Sequence, residues 1–265
     1  MKIIVCVKQV PDTTEIKIDP VTNTLIRAGV PSIVNPYDAY ALETALRLKE
    51  RYGAEVLVIS MGPEQAKEAL KECLAVGADR AWLISDRAFG GSDTLATSFV
   101  LSRAVAWLSK ELGDVGLILC GKQAIDGDTA QVGPEMAEHL DLPQITYASD
   151  AELSEDGVLV KRETDDGYDM IKTKLPAVVT VTKISGETRL PSIKGKMRAS
   201  RAEIPVLTAQ TLEIDVEKCG LKGSPTKVKK TFTPVRTKTG IKVEGKTAAE
   251  AAAGMAGFLD EKKLV

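Results

Sequence analysis

Two stretches of this sequence carry side chains at spacings that could hold a phosphate. Residues 121–132 read GKQAIDGDTAQV. Gly121 and Gly127 permit close backbone approach, and Asp126, Asp128, Thr129 and Gln131 offer hydrogen bonds. The stretch follows an apolar run and leads into a helical pattern, and N–H groups near a helix start suit an anion. An ordinary polar loop between strand and helix has the same composition, so both readings stand. Residues 90–98 read GGSDTLATS. Ser92 or Asp93 can cap a helix there. Thr94 and Thr97 lie three apart, so their hydroxyls share one face of the first turn. Hydroxyls, free N–H groups and the positive helix end make a diphosphate cradle. A well-capped helix start without a ligand is the plainer reading.

Other chemistries lack their residues. There is no GxGxxG and no GxxxxGKS/T, so the usual dinucleotide and P-loop sites are not supported. GGSDTLATS is similar to the SGGxDS loop of ATP pyrophosphatases, but that loop follows the first strand of its sheet and this one follows the third apolar run. His139 lies late in a helical pattern beside Glu138 and reads as a surface residue. No Ser/His/Asp or Cys/His arrangement offers a nucleophile. Cys6, Cys73, Cys120 and Cys219 form no CxxC pair, so a metal site built by this chain alone is not expected. Cys6 and Cys120 sit in or at the end of apolar runs and read as small buried hydrophobes of a reducing compartment. Asp165-Asp166 reads as a solvated turn.

Composition narrows the class further. The formal net charge is −2 and aromatics make up 4% of 265 residues, which argues against a nucleic-acid surface. Hydrophobic residues make up 44%, enough for a full core. No apolar run reaches the roughly 18 residues of a membrane span. The apolar stretch within residues 1–10 is too short for a signal peptide. A soluble, cytoplasmic protein is expected.

The elements that would position these stretches alternate. Residues 3–7, 55–60, 80–85 and 115–120 are continuous apolar runs that predict buried strands. Helical spacing predicts helices over 36–52, from Gly62-Pro63 to Val76, from Ser92 or Asp93 to Leu112, and one ending near Leu140. Gly53 and Gly77 stop the first two. Such alternation predicts a parallel sheet covered on both faces, with ligands beyond the carboxyl ends of its strands. Segments 6–10, 61–63, 86–97 and 121–134 leave those ends. Strands are then predicted at 147–153, 158–163, 170–174 and 177–182, the first two as a hairpin. A second small hairpin is predicted within 16–26. From Ser185 onward the chain is rich in Lys, Arg, Pro and Gly and has little periodicity until a weak helix at 247–258. Such a tail predicts disorder or packing on a partner.

Together these segments resemble the electron transfer flavoprotein beta subunit over nearly the whole chain. The matching stretches are IIVCVKQVPD, VNPYDAYALETALRLKE, VISMGPEQAKEALKECLAVGADRA, ILCGKQAIDGDTAQVGP, VKRETDDGYDMIKTKLPAVVTV and LPSIKGKMRAS, in that order. The resemblance implies an open, mainly parallel, Rossmann-like sheet of the adenine nucleotide alpha-hydrolase kind. It also implies a small β-hairpin appendage and an extended C-terminal arm. Residues 1–233 would form the nucleotide-binding domain, with a dehydrogenase-docking loop at about 185–201. Residues 234–265 would pack on a larger alpha subunit that holds its own FAD.

By motif position the site would use Cys6, Asn35, Pro36, Tyr37, Asp38 and Met61. It would also use Gly121, Lys122, Gln123, Ala124, Ile125, Asp126, Gly127, Asp128, Thr129, Ala130, Gln131 and Val132. Ordinary members of the family hold AMP in this subunit, and electron-bifurcating members hold a second FAD. Residues 92–98, with Asp93, Thr94 and Thr97, look like the bifurcating kind, as does Asp128-Thr129. FAD is therefore expected here, with AMP as the alternative. NADH would be the electron donor. One electron would pass through the alpha-subunit FAD to an acyl-CoA dehydrogenase, the other to a ferredoxin or flavodoxin. No side chain need act as acid, base or nucleophile. The rival from another class is a stand-alone ATP- or AMP-binding module of the universal-stress type, which lacks the long second half.

Overall fold

The computed structural model describes residues 1–12, 31–229 and 240–264. The hairpin expected within 16–26 lies outside them. The chain divides into two compact units, the first ending at Lys229 and the second running from Lys230.

The first unit begins with β1 (Lys2–Cys6), β2 (Gln9–Pro11), β3 (Ser32–Val34) and α1 (Pro36–Tyr52). Next come β4 (Glu55–Met61), α2 (Lys67–Val76), β5 (Arg80–Ile84), α3 (Thr94–Leu112), β6 (Val115–Gly121) and α4 (Val132–Leu140). The rest is β7 (Gln144–Ser154), β8 (Gly157–Thr164), β9 (Gly167–Thr173), β10 (Ala177–Val181), α5 (Ile193–Arg201), β11 (Val206–Leu207) and α6 (Gly220–Gly223).

Among the described residues, nine strands form one sheet in the order β11-β5-β4-β1-β6-β10-β7-β8-β9. The pairs from β11 to β7 are parallel, and β7-β8 and β8-β9 are antiparallel. β2 and β3 pair separately as a small antiparallel ladder. The period-2 alternation of strand side chains divides the core. Ile3, Val5, Val56 and Val58 face α1 and α2, where they meet Ala41, Ala45, Leu46 and Leu70. Ile4, Cys6, Leu57 and Ile118 face α3 and α4, where they meet Val100, Ala104, Leu108 and Met136. Both faces are covered, which is why the parallel strands read as unbroken apolar runs.

The segment after Ser185 is not a tail without a core. Ile204, Leu207, Leu212, Ile214 and Cys219 are buried, and β11 extends the sheet along β5. The stretch expected as a docking loop contains a helix, α5. Ser192 Oγ accepts from the Gly195 N–H at 3.0 Å, and the Arg198 guanidinium donates to the carbonyl oxygens of Leu74 and Ala78 at the end of α2. α5 buries only Ala199 among its nine residues, so its periodicity is too faint to read from the sequence.

The second unit contains α7 (Ala248–Glu261). Its start is capped by Thr247, whose Oγ1 accepts from Glu250 N, and Glu250 Oε2 reaches back to accept from Lys246 N.

Candidate functional site

From β1 the chain winds outward through β4 to β5, then returns to place β6 on the other side of β1. The switch point of the sheet therefore lies between β1 and β6. In an open α/β sheet that is where a crevice forms beyond the strand ends. A cavity of about 750 Å³ opens there. Val7 and Lys8 wall it after β1, Gly62 and Pro63 after β4, and Ser85 to Ser92 after β5.

Most of the expected residues meet in this cavity. Cys6, Asn35, Asp38, Met61, Asp93, Thr94 and Thr97 line it, as do Gly121, Lys122, Gln123, Ala124, Gly127, Thr129, Ala130, Gln131 and Val132. Pro36, Tyr37, Ile125, Asp126 and Asp128 do not. Pro36 opens α1, where its missing N–H costs nothing. The Tyr37 ring lies 5.9 Å from Lys122 Nζ. Ile125 is 50% exposed, Asp128 is exposed, and the Asp126 carboxylate pairs with Lys8 Nζ at 2.6 Å.

Two residues at the start of α1 shape the loop after β6. Asn35 is fully buried. Its Nδ2 donates to the Gln123 carbonyl at 2.8 Å, and its Oδ1 accepts from Ile125 N at 3.1 Å. One amide side chain thus satisfies an acceptor and a donor of the same loop. Asp38 Oδ2 accepts from Lys8 N at 2.7 Å and Oδ1 from Gly121 N at 3.0 Å. It ties together the segments that leave β1 and β6. Burial pushes the Asp38 carboxyl up to about 7, against the pull of these N–H donors and of Asn35.

Cys6 and Cys120 are register partners on β1 and β6. Burial raises both thiols, Cys120 to about 12, with the Asp38 charge adding to the effect. Neither is a thiolate at neutral pH, so both serve as apolar floor.

The far end of the cavity is the N-terminus of α3. Asp93 caps it, Oδ1 accepting from Ala96 N at 3.1 Å. Thr97 N donates to the Asp93 carbonyl, while the N–H groups of Thr94 and Leu95 have no partner among the described residues. Thr94 Oγ1 lies 3.2 Å from Glu135 Oε1 and 3.4 Å from Gln131 Oε1. The other carboxylate oxygen of Glu135 is buried without a partner among the described residues. Arg87, exposed on the wall after β5, pairs with no carboxylate among the described residues.

Lys8, Arg87, Phe89, Leu101, Cys120 and Gly133 also line the cavity. Lys8, Arg87, Phe89 and Gly133 fall within the segments expected to leave the strand ends but were not singled out. Leu101 lies four residues after Thr97, so helical spacing alone would have placed it on the same face. His139 is exposed, as expected, with its ring edge-on to Phe99. Among the described residues there is no His/Cys/Asp/Glu cluster suited to a metal ion. No described helix is long and apolar enough to cross a membrane.

An α/β sheet with a cavity at its switch point is the general architecture of open α/β ligand-binding folds. The family model of the electron transfer flavoprotein domain matches residues 22–212. The electron transfer flavoprotein subunit beta of Megasphaera elsdenii is 53% identical over 91% of this chain and 90% of its own length. The protein of the same name from Clostridium acetobutylicum is 49% identical over all of both chains. A subunit of the caffeyl-CoA reductase–Etf complex of Acetobacterium woodii, CarD, is 47% identical, again over all of both. The chain belongs to the electron transfer flavoprotein family, among its beta subunits, and its role is in electron transfer.

Proposed function

We propose that this chain binds FAD in the cavity between β1 and β6 and works as the beta subunit of an electron-bifurcating flavoprotein. The observation that carries the reading is the reach of the cavity. It runs from the Asn35-bound loop after β6 to the N-terminus of α3, where Thr94 and Thr97 line it. Its volume of about 750 Å³ is in the upper part of the roughly 300–1,000 Å³ range of small-molecule sites.

In this reading the Asn35-held loop receives the adenosine end. The free N–H groups and hydroxyls of α3 receive the diphosphate, with Arg87 supplying positive charge. Cys6 and Cys120 keep the floor apolar. Bound there, FAD supplies hydride acceptance from NADH and the division of two electrons between two acceptors. The chain's own part is binding, orientation and exclusion of water. A larger alpha subunit with its own FAD completes the site, and the segment from about 234 packs on it. An acyl-CoA dehydrogenase is the high-potential acceptor and a ferredoxin or flavodoxin the low-potential one. The basic stretch 194–201 of α5, with Leu190 and Ile193 at its start 88% and 82% exposed, forms the dehydrogenase-docking surface.

One observation favours structural AMP as the second reading. The Thr94 hydroxyl already faces the Glu135 carboxylate, and a mononucleotide would leave that contact intact. Anaerobic turnover of the heterodimer separates the two. Bifurcation predicts that NADH reduces ferredoxin only while the dehydrogenase and its acyl-CoA substrate are also turning over. Ferredoxin that stays oxidised under those conditions would refute it.

A further inference from the structure

The loop between β5 and α3 lines much of the cavity yet has little structure of its own beyond a single helical turn at Arg87–Phe89. Besides short-range bonds such as Ser92 Oγ to the Phe89 carbonyl at 2.8 Å, residues far along the chain hold it at both ends. At its start, Asp86 Oδ2 accepts from Ala209 N at 3.1 Å. At its end, Ser92 Oγ accepts from Gly220 N at 3.1 Å, and Asp93 N donates to the buried Ser224 Oγ at 2.8 Å. Asp93 Oδ2 accepts twice from Thr226, from N at 3.0 Å and from Oγ1 at 2.8 Å. The Leu221 side chain closes over Gly91, where an added Cβ would meet its Cγ at 2.7 Å.

The geometry points to Ser224 and Thr226 as positioning residues for the phosphate end of the cavity, through Asp93. Neither lines the cavity. Asp93 does, and its carboxylate stands at the same helix end that the proposed diphosphate must approach. Oδ1 is spent on the cap of α3, so the free charge would reside on Oδ2. Two donors from Thr226 take up that charge and hold the carboxylate away from an incoming anion. Ser224 holds the Asp93 backbone, and with it the first turn of α3 that carries Thr94 and Thr97. Burial would raise the Asp93 carboxyl, but the Ala96, Thr226 and Ser224 hydrogen bonds hold it below its ordinary value. The strap thus keeps an anion in a cradle meant for another anion, and makes the two compatible.

This inference rests on the proposal that FAD occupies the cavity, and the test separates the two. The protein is the heterodimer with its alpha subunit, carrying wild-type chain, Thr226→Val, Ser224→Ala or Thr226→Ser. The readouts are FAD bound beyond the first equivalent, AMP affinity and the urea midpoint. Loss of the hydroxyl bond to the Asp93 carboxylate in Thr226→Val, and of the acceptor for the Asp93 backbone N–H in Ser224→Ala, predicts FAD binding weakened roughly three- to ten-fold in each. AMP affinity should be unchanged, since its phosphate need not reach α3, and Thr226→Ser should restore FAD binding. A purely structural role would weaken both ligands together or lower the urea midpoint alone. Equal FAD affinity in all four proteins would overturn the strap while leaving the FAD reading intact. Absence of the second FAD from the wild type would overturn the FAD reading and the strap with it, before any variant is compared.

Discussion

The backbone N–H of Gly121 donates to Asp38 Oδ1 at 3.0 Å, and a side chain on Gly121 would put its Cβ 2.6 Å from the Tyr37 carbonyl carbon. β6 and the start of α1 touch backbone to backbone here, at the mouth of the cavity. Gly121→Ala must push them apart. Overpacking of this kind costs about 1–3 kcal/mol. The expected result is a lowered urea midpoint together with loss of bound nucleotide. An alanine variant with full nucleotide content would show that the contact is not needed for the site.

Asp38 gives the fold a pH dependence of unusual sign. Its carboxyl is raised to about 7 from an ordinary carboxylate value, so between roughly pH 4 and pH 7 the folded state binds more protons than the unfolded one. Stability from this group is fully present below pH 4 and is lost as pH rises through about 7. Asp38→Asn removes the titration; like the protonated carboxyl it resembles, it turns one donor toward the N–H of Lys8 or Gly121. Relative to the wild type, the variant should gain stability between pH 5 and pH 8. Urea unfolding at the two pH values checks this, and an equal difference at both would contradict it.

Glu43 works in the opposite sense. Burial would raise its carboxyl, but hydrogen bonds from Arg189 at 2.8 and 3.1 Å and from Arg47 at 3.0 Å hold it below its ordinary value. Its stabilisation is present above the ordinary carboxylate range and is lost as pH falls through the lowered value. Arg189→Ala should cost about 1–2 kcal/mol at pH 7 and progressively less in acid. The second partner, Glu50, is well exposed and adds little. A pH-independent cost would mean that the arginine acts by packing alone.

Glu135 sets a cost on any phosphate at Thr94. A hydroxyl has one proton to donate, and here it faces a carboxylate whose second oxygen has no partner among the described residues. Glu135→Gln removes that negative charge. FAD affinity should rise by roughly two- to five-fold, with AMP affinity unchanged. A fall in FAD affinity would mean that the carboxylate holds the cradle open instead.

The sheet and its helices were legible because Ile3, Val5, Val56 and Val58 belong to unbroken apolar runs, and Gly53 and Gly77 end helices as their type predicts. The loops of the cavity were legible because a parallel sheet fixes where strand ends lie. What stayed hidden is what depends on distant pairing. β10 inserts between β6 and β7, and two residues, Val206 and Leu207, form an edge strand too short to show a period. α5 carries four basic residues and one buried alanine, so α2 and not its own pattern makes it a helix. Resemblance alone places Asp38 at the site; that it is buried, and what it bonds, only the neighbouring segments reveal. Thr226 and Asp93 lie 133 residues apart, and nothing in either local sequence announces the pair.

The most direct test of the account is a count of nucleotide released from the purified heterodimer of this chain with its alpha subunit. The account predicts two FAD and no AMP per heterodimer, falling to one FAD in the Thr94→Ala/Thr97→Ala double variant. One FAD and one AMP would contradict it: the chain would then be an ordinary single-flavin carrier subunit, and residues 92–98 a capped helix start with no diphosphate to hold.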